Sequence, residues 1–410
     1  MYYDSENLEN ILHIFNDDKF VDRSILLFEN IYPEKSIYYV IVRNQDMTFQ
    51  YVNSSKVIPI SLTNESSCKE LAQVINRSKS KIIFLHALNE IKQKLIGFVD
   101  ETIVKVWFVW GYDLYNEWKP LERKIYEKET LAYLDKGLSR KEKLVNLLFY
   151  KYYLYKVYKK SLRTFNSQYF KAVQKMDVVV PVLPLEMQYV QKLNKNLIYA
   201  PFTYGYLEDI LKHTMNENVM DSKNILVGNS GNPSNNHIDA FKVLSKLNLE
   251  NRKVIVPLSY GGSKKYIDFV IEKGRDLLGD NFQEVLNFMS LDDFNRLILS
   301  CGHVVFNHIR QQAVSNILTM GYAGAKFYFN EKSVGYKYYK SLGFNLNGLN
   351  ELDNVALNSN LSAQEYIENR KILEELYSFE SVKLKTIELF KTVNRISVLK
   401  TTKNNYSSVN

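Results

Sequence analysis

The amino-acid sequence predicts an α/β protein with two parallel sheets, and three observations predict it. Short apolar runs recur along the chain, separated by segments of helical period, so strand and helix alternate. Most of the runs are apolar at successive positions, as expected of strands covered on both faces. The alternation breaks once, over 201–218, where apolar periodicity is lost. That stretch is the expected boundary between an N-terminal domain, 1–205, and a C-terminal domain, 218–396.

In the first half, strands are expected at Ile11 to Phe15, Ile37 to Val42, Lys81 to Leu88 (KIIFLHAL) and Ile103 to Trp110 (IVKVWFVW), the last running into Gly111-Tyr112-Asp113. Short strands follow at 177–182 and 197–200, and helices fit 68–78 and 89–98. Ligands of such sheets sit beyond the carboxyl ends of the strands, which is where His86 and Asp113 fall. In the second half, strands at 225–227, 253–258, 282–288, 304–308 and 326–329 alternate with helices at 235–248, 264–277, 291–300 and 312–322. After Asn350 the pattern gives helices at 362–377 and 381–396, then a polar tail, 397–410, expected to be disordered.

Composition narrows the class of function. Hydrophobic residues are 46% and charged residues 24%, which describes a globular chain. Cys68 and Cys301 are far apart, with no C-x-x-C, which argues against a disulfide scaffold or structural zinc and fits a reducing cytoplasm. No secretory signal and no membrane-spanning stretch is evident. A net charge of +8 favours a phosphate-rich partner. The stretch 138–175 reads as a basic amphipathic insertion. Its segment KYYLYKVYKK carries Lys151, Lys156, Lys159 and Lys160 among tyrosines, suited to an anionic membrane surface or, as plainly, to a solvated helix face.

The stretch 223–239, KNILVGNSGNPSNNHID, joins an apolar strand to a helix start through Gly228, Asn229, Ser230, Gly231, Asn232 and Pro233. Strand, glycine turn and helix N-terminus together would offer free backbone N–H groups to a phosphate. Two companions follow later strands. Ser259-Tyr260-Gly261-Gly262 brings a ring able to stack on a base or ribose, and Arg310-Gln311-Gln312 brings a guanidinium able to grip a diphosphate. There is no Asp-x-Asp triplet, Asp17-Asp18 and Asp292-Asp293 being adjacent pairs with a capping or surface explanation. Neither metal nor other cofactor is therefore expected. Two α/β domains with a glycine turn opening the second describe a glycosyltransferase of GT-B architecture, two Rossmann-like domains facing across a cleft. Asp113 and His86 are its candidate catalytic base and orienting group, with Asp113 equally readable as a helix N-cap and His237 as support for the turn.

The motifs VGNSGNPSNNHI, VIVPLSYGG, Arg310-Gln311-Gln312, FLHALN and WFVWGYDLY resemble the bacterial 4-acetamido-4,6-dideoxygalactose (Fuc4NAc) transferases of glycosyltransferase family 56, over roughly 81–330. The resemblance implies a dTDP-Fuc4NAc donor, a polyprenyl-diphosphate-linked glycan acceptor and a cytoplasmic enzyme peripheral to the inner membrane face, with no nucleic-acid partner. A sugar-nucleotide epimerase of the same fold and a nucleotide- or nucleic-acid-binding protein are the alternatives.

Overall fold

The computed structural model describes residues 10–42, 48–117, 121, 123–141, 143–144 and 167–407. It divides into two compact units, each with its own parallel sheet. Described residues 10–117, 167–205 and 379–407 form the first, and 121–144 with 206–378 form the second.

The first sheet runs β3-β2-β1-β4-β5-β6-β7, all parallel, with β1 Ile11–Asn16, β2 Ser36–Val42, β3 Val57–Ser61, β4 Ile82–His86, β5 Val104–Phe108, β6 Val178–Val180 and β7 Ile198–Tyr199. Strands β4 and β5 are buried at every position, which is why they read as unbroken apolar runs. No strand was expected at β3, where Val57-Ile58-Pro59-Ile60-Ser61 is half exposed. As an edge strand it tolerates Pro59, which a central position would exclude. The helix Glu65–Arg77 starts three residues before the expected 68. Asn64 and Ser67 form a reciprocal capping box there.

The second sheet runs β10-β9-β8-β11-β12-β13, with β8 Asn224–Val227, β9 Val254–Pro257, β10 Phe282–Val285, β11 Cys301–Phe306, β12 Lys326–Phe329 and β13 Asn347–Gly348. β11 starts before the expected 304. Cys301 pairs with Asn224 and His303 with Ile225 across a register shift, and a Cβ on the intervening Gly302 would collide with the Ser222 carbonyl. Helices His237–Leu244, Lys264–Leu278, Leu291–Ile298 and Val314–Tyr322 follow β8 to β11 in turn.

Three expectations are corrected. The polar tail is not disordered from 397. One helix spans Phe379–Ser407 and belongs to the first unit, where Phe390 stacks on Tyr32 at 4.5 Å between ring centroids and Lys400 Nζ lies 2.7 Å from Asp177 Oδ1. The domains are not consecutive halves, since this C-terminal helix returns to the first unit. Residues 121–144, expected in the first domain, belong to the second. There the helix Lys128–Leu134 points its first turn at Asp239, whose carboxylate accepts from Glu129 N at 2.8 Å and Thr130 N at 3.1 Å. Lys151, Lys156, Lys159 and Lys160 lie outside the described residues.

Candidate functional site

In an open parallel sheet the ligand crevice lies outside the carboxyl ends of the strands, where the strand order reverses. In the second unit the reversal falls between β8 and β11. β8 delivers Gly228 to Asn232, and β11 delivers Asn307 to Ala313, to the same edge.

Four of the five N–H groups of the glycine turn, from Gly228 to Asn232, are already engaged. Gly228 N donates to Val305 O at 3.1 Å, Asn229 N to Asn235 Oδ1 at 3.2 Å, and Gly231 N to Tyr260 O at 2.7 Å. Asn232 N reaches Ser230 Oγ at 3.5 Å. The asparagine-rich sequence is the reason, because short amide and hydroxyl side chains satisfy the turn from within. Gly228 takes φ +68° against Asn235, whose Oδ1 would stand 3.0 Å from an added Cβ. Gly262 serves a contact between loops, since a Cβ there would collide with the Gly231 carbonyl. Tyr260 is 39% exposed, with its hydroxyl 3.4 Å from Asn229 Nδ2, so its ring is open to a ligand.

Gln312 ties the two strand ends together. Its Nε2 donates to Asn229 Oδ1 at 3.0 Å and Asn235 Oδ1 at 2.8 Å, and its Oε1 accepts from Ser234 Oγ at 2.8 Å. A side chain so engaged is a brace for the loops, and the direct ligand contact expected of Gln312 is corrected to that role. Gln311 is buried beside it. Arg310 is half-buried and its Nε donates to Ser234 Oγ at 2.9 Å, which fixes the orientation of the guanidinium.

The helix Val314–Tyr322 supplies what the glycine turn lacks. Its N-cap, Ala313, has the left-handed φ +65° and no side chain caps the first turn. Within that turn Asn316 is 9% exposed and its Nδ2 has no hydrogen-bond partner among the described residues. An uncapped helix start with a buried amide donor and an oriented arginine has the chemistry to hold an anion. Ala313 and Asn316 escaped sequence reasoning because a left-handed alanine has no residue-type signal. His237 is buried under the turn with Nδ1 3.3 Å from Tyr266 Oη, and burial pushes its pKa down to about 3.

The first unit is built in the opposite sense. Its strand order reverses between β1 and β4. Asp113, expected as a base, is fully buried. Its Oδ2 accepts from Leu88 N at 2.8 Å and Trp107 Nε1 at 2.6 Å, and its Oδ1 from Trp110 N at 2.9 Å. Three donors and no exposed surface leave it unable to take a proton from a substrate. Asp113 instead locks the W-G-Y-D corner, whose Gly111 stands at φ +86°. Burial raises its pKa, against the pull of Trp107 and the two backbone donors. Lys92, also fully buried, has its Nζ on the His86 carbonyl. Burial lowers the Lys92 pKa to about 7, against the pull of Asp113 and Asp18.

His86 is equally sealed. Its Nε2 lies 3.1 Å from His13 Nδ1 and its Nδ1 2.7 Å from Tyr204 Oη, which also accepts from Trp110 Nε1 at 2.6 Å. Its ring stacks on Phe15 at 3.6 Å. Burial holds it well below the ordinary histidine pKa, with His13 and Lys92 adding to the effect. It cannot orient a donor sugar from there. Tyr204 was missed because it lies in the stretch read as a linker.

Two parallel sheets whose strand ends carry these loops define the GT-B architecture, and the chain is a glycosyltransferase. A family described as 4-alpha-L-fucosyltransferase, glycosyl transferase group 56, matches residues 153–336. The chain therefore resembles that family over the segment that holds the turn at Gly228, Tyr260 and Arg310, while FLHALN and WFVWGYDLY fall outside the match. Among solved structures, a glycosyltransferase from Rickettsia africae superposes with a TM-score of 0.59 at 11% identity, covering 94% of this chain and 99% of its own. Trehalose 6-phosphate synthase from Burkholderia multivorans gives 0.61 at 8% identity, covering 96% and 98%. Anabaena HepE in complex with UDP gives 0.55 at 10%, covering 93% and 100%. These likenesses show the fold. Among the described residues no helix is long and apolar enough to cross a membrane.

Proposed function

We propose that the protein transfers a deoxy-amino sugar of the Fuc4NAc type from a dTDP-sugar donor, without a metal, to a polyprenyl-diphosphate-linked glycan in bacterial surface polysaccharide synthesis, working at the cytoplasmic face of the membrane. The observation that carries the reading is the uncapped start of the helix Val314–Tyr322, with Asn316 Nδ2 unpartnered and Arg310 held beside it by Ser234. Such a start stabilises the negative charge that builds on a departing nucleoside diphosphate. Tyr260 supplies an exposed ring for the base or ribose. The sugar and the lipid-linked acceptor rest on the likeness of VGNSGNPSNNHI and Arg310-Gln311-Gln312 to the Fuc4NAc transferases, and the UDP held by Anabaena HepE supports a nucleoside diphosphate as the ligand class.

A thermal-shift panel of dTDP, UDP and GDP tests the donor. The reading expects dTDP to raise the melting temperature most, and no shift with any of the three would sink it. Arg310→Ala is expected to weaken dTDP binding by about 1.5–3 kcal/mol, the scale of a lost charged hydrogen bond. Flotation with anionic liposomes tests the membrane arm. Binding is expected to fall on substitution of Lys156, Lys159 and Lys160, and binding that survives their loss removes those lysines from the membrane contact.

A further inference from the structure

Asp113 and His86 are sealed, but the network they belong to ends on a ring that is not. We propose that Trp110, braced by Phe20, is a shelf for a sugar ring of the acceptor glycan, an inference that rests on the glycosyltransferase reading above.

The strand order of the first sheet reverses between β1 and β4, so the crevice of this unit lies at the carboxyl ends of those strands. Phe20 follows β1 and Trp110 follows β5, and these two strands flank β4. Their rings meet edge to face, 5.8 Å between centroids and 78° between planes, so the pair stands across the end of β4. Both side chains are half-buried, which leaves part of each at the surface. Lys19 Nζ lies over the Phe20 ring at 5.5 Å, so Trp110 is the stacking face and Phe20 its support.

The sealed corner fixes that ring in place. Trp110 N donates to Asp113 Oδ1 at 2.9 Å, and Trp110 Nε1 donates to Tyr204 Oη at 2.6 Å. Tyr204 Oη lies 2.7 Å from His86 Nδ1, His86 Nε2 3.1 Å from His13 Nδ1, and His13 Nε2 3.1 Å from Ser36 Oγ. Phe20 is held in the same manner, its N–H donating to Asp18 Oδ1 at 3.2 Å. Tyr204 closes the cluster, perpendicular to Trp110 at 5.7 Å. A ring anchored through both its backbone and its indole N–H loses little freedom when a ligand settles on it.

The chemistry of the crevice suits a sugar better than a phosphate. One face of a pyranose is a patch of weakly positive C–H groups, which packs on the negative face of an aromatic ring. Its hydroxyls then need polar partners at the rim. Asn16 and Asn89 bring amides to the ends of β1 and β4, tied to each other at 2.9 Å between Asn89 Nδ2 and Asn16 Oδ1. Over 17–23 the carboxylates of Asp17, Asp18 and Asp22 outnumber Lys19 and Arg23, so this edge lacks the positive charge that the second unit offers a diphosphate at Arg310.

Fluorescence titration in the absence of donor tests the shelf, with a polyprenyl-diphosphate-linked disaccharide as ligand and the same polyprenyl diphosphate without sugar as control. Wild-type protein is expected to bind the disaccharide with a blue shift in tryptophan emission, as the sugar displaces water from the indole. Trp110→Ala should abolish the shift and weaken disaccharide binding, measured by calorimetry, about 5- to 30-fold, the scale of a truncated aromatic anchor. Its affinity for the sugar-free lipid and for dTDP should stay unchanged. Trp110→Phe keeps a ring and should recover most of the binding, while Phe20→Ala should give a smaller loss than Trp110→Ala. Trp110→Ala that binds the disaccharide as wild type does overturns the shelf and leaves the transferase standing, as does wild-type protein that binds dTDP but not the disaccharide. Loss of dTDP and disaccharide binding together in both Trp110 variants would make Trp110 a structural brace and overturns the shelf as well. Wild-type protein that binds neither ligand sinks the proposed function and the shelf together.

Discussion

The two strand-end corners of this protein hold similar inventories of polar residues and put them to opposite uses. In the first unit, Asp113, His86 and Lys92 point into a sealed corner, where each is bonded to protein and none reaches solvent. In the second, Arg310 and Tyr260 stay at the surface while an amide brace at Gln312 holds the loops beneath them. A reactive residue type at a strand end therefore marks a corner that must be held, and only the direction of the side chain separates a brace from a ligand group.

Substitutions that break each brace sharpen this contrast. Asp113→Asn is expected to cost the most, about 3 kcal/mol, because an amide cannot satisfy the Leu88, Trp107 and Trp110 donors together. Chemical denaturation measures the loss, and a base role would show instead as lost turnover at unchanged stability. Gln312→Ala should cost about 2 kcal/mol by freeing the Asn229, Asn235 and Ser234 side chains, and it should also weaken dTDP binding because the loops lose their brace. Unchanged dTDP affinity would show that the loops hold their shape without it. Gly228→Ala should cost about 1–2 kcal/mol for a left-handed alanine, with added crowding against Asn235 Oδ1. Ala313→Gly is the smallest and opposite in sign. Relieving a left-handed alanine should raise stability by up to about 1 kcal/mol, and a drop would show that Ala313 is held by its packing.

Much of the architecture was legible because buried parallel strands announce themselves as apolar runs. β1, β4, β5, β8 and β9 all did so. β3 and β13 did not. One is a half-exposed edge strand with a proline and the other is two residues long. The division of the chain was the harder reading, since nothing local in Lys128–Leu134 says that its first turn will bind Asp239, nor in Phe379–Ser407 that it will close on Tyr32. At the site, residue types could be read but satisfaction could not. Asn229, Asn232 and Asn235 look in sequence like a turn kept open for a ligand, and in space they are what closes it.

The return of Phe379–Ser407 to the first unit has a consequence for biosynthesis. Translation usually lets the N-terminal domain settle first. Here the N-terminal sheet emerges early but waits for the helix Phe379–Ser407 to cover Tyr32, Phe28 and Phe84 through Phe390. The second unit, complete by Ser378, is released from the ribosome before its predecessor can finish. A chain truncated after Ser378 should therefore carry a protease-resistant second unit and a first unit still open to cleavage.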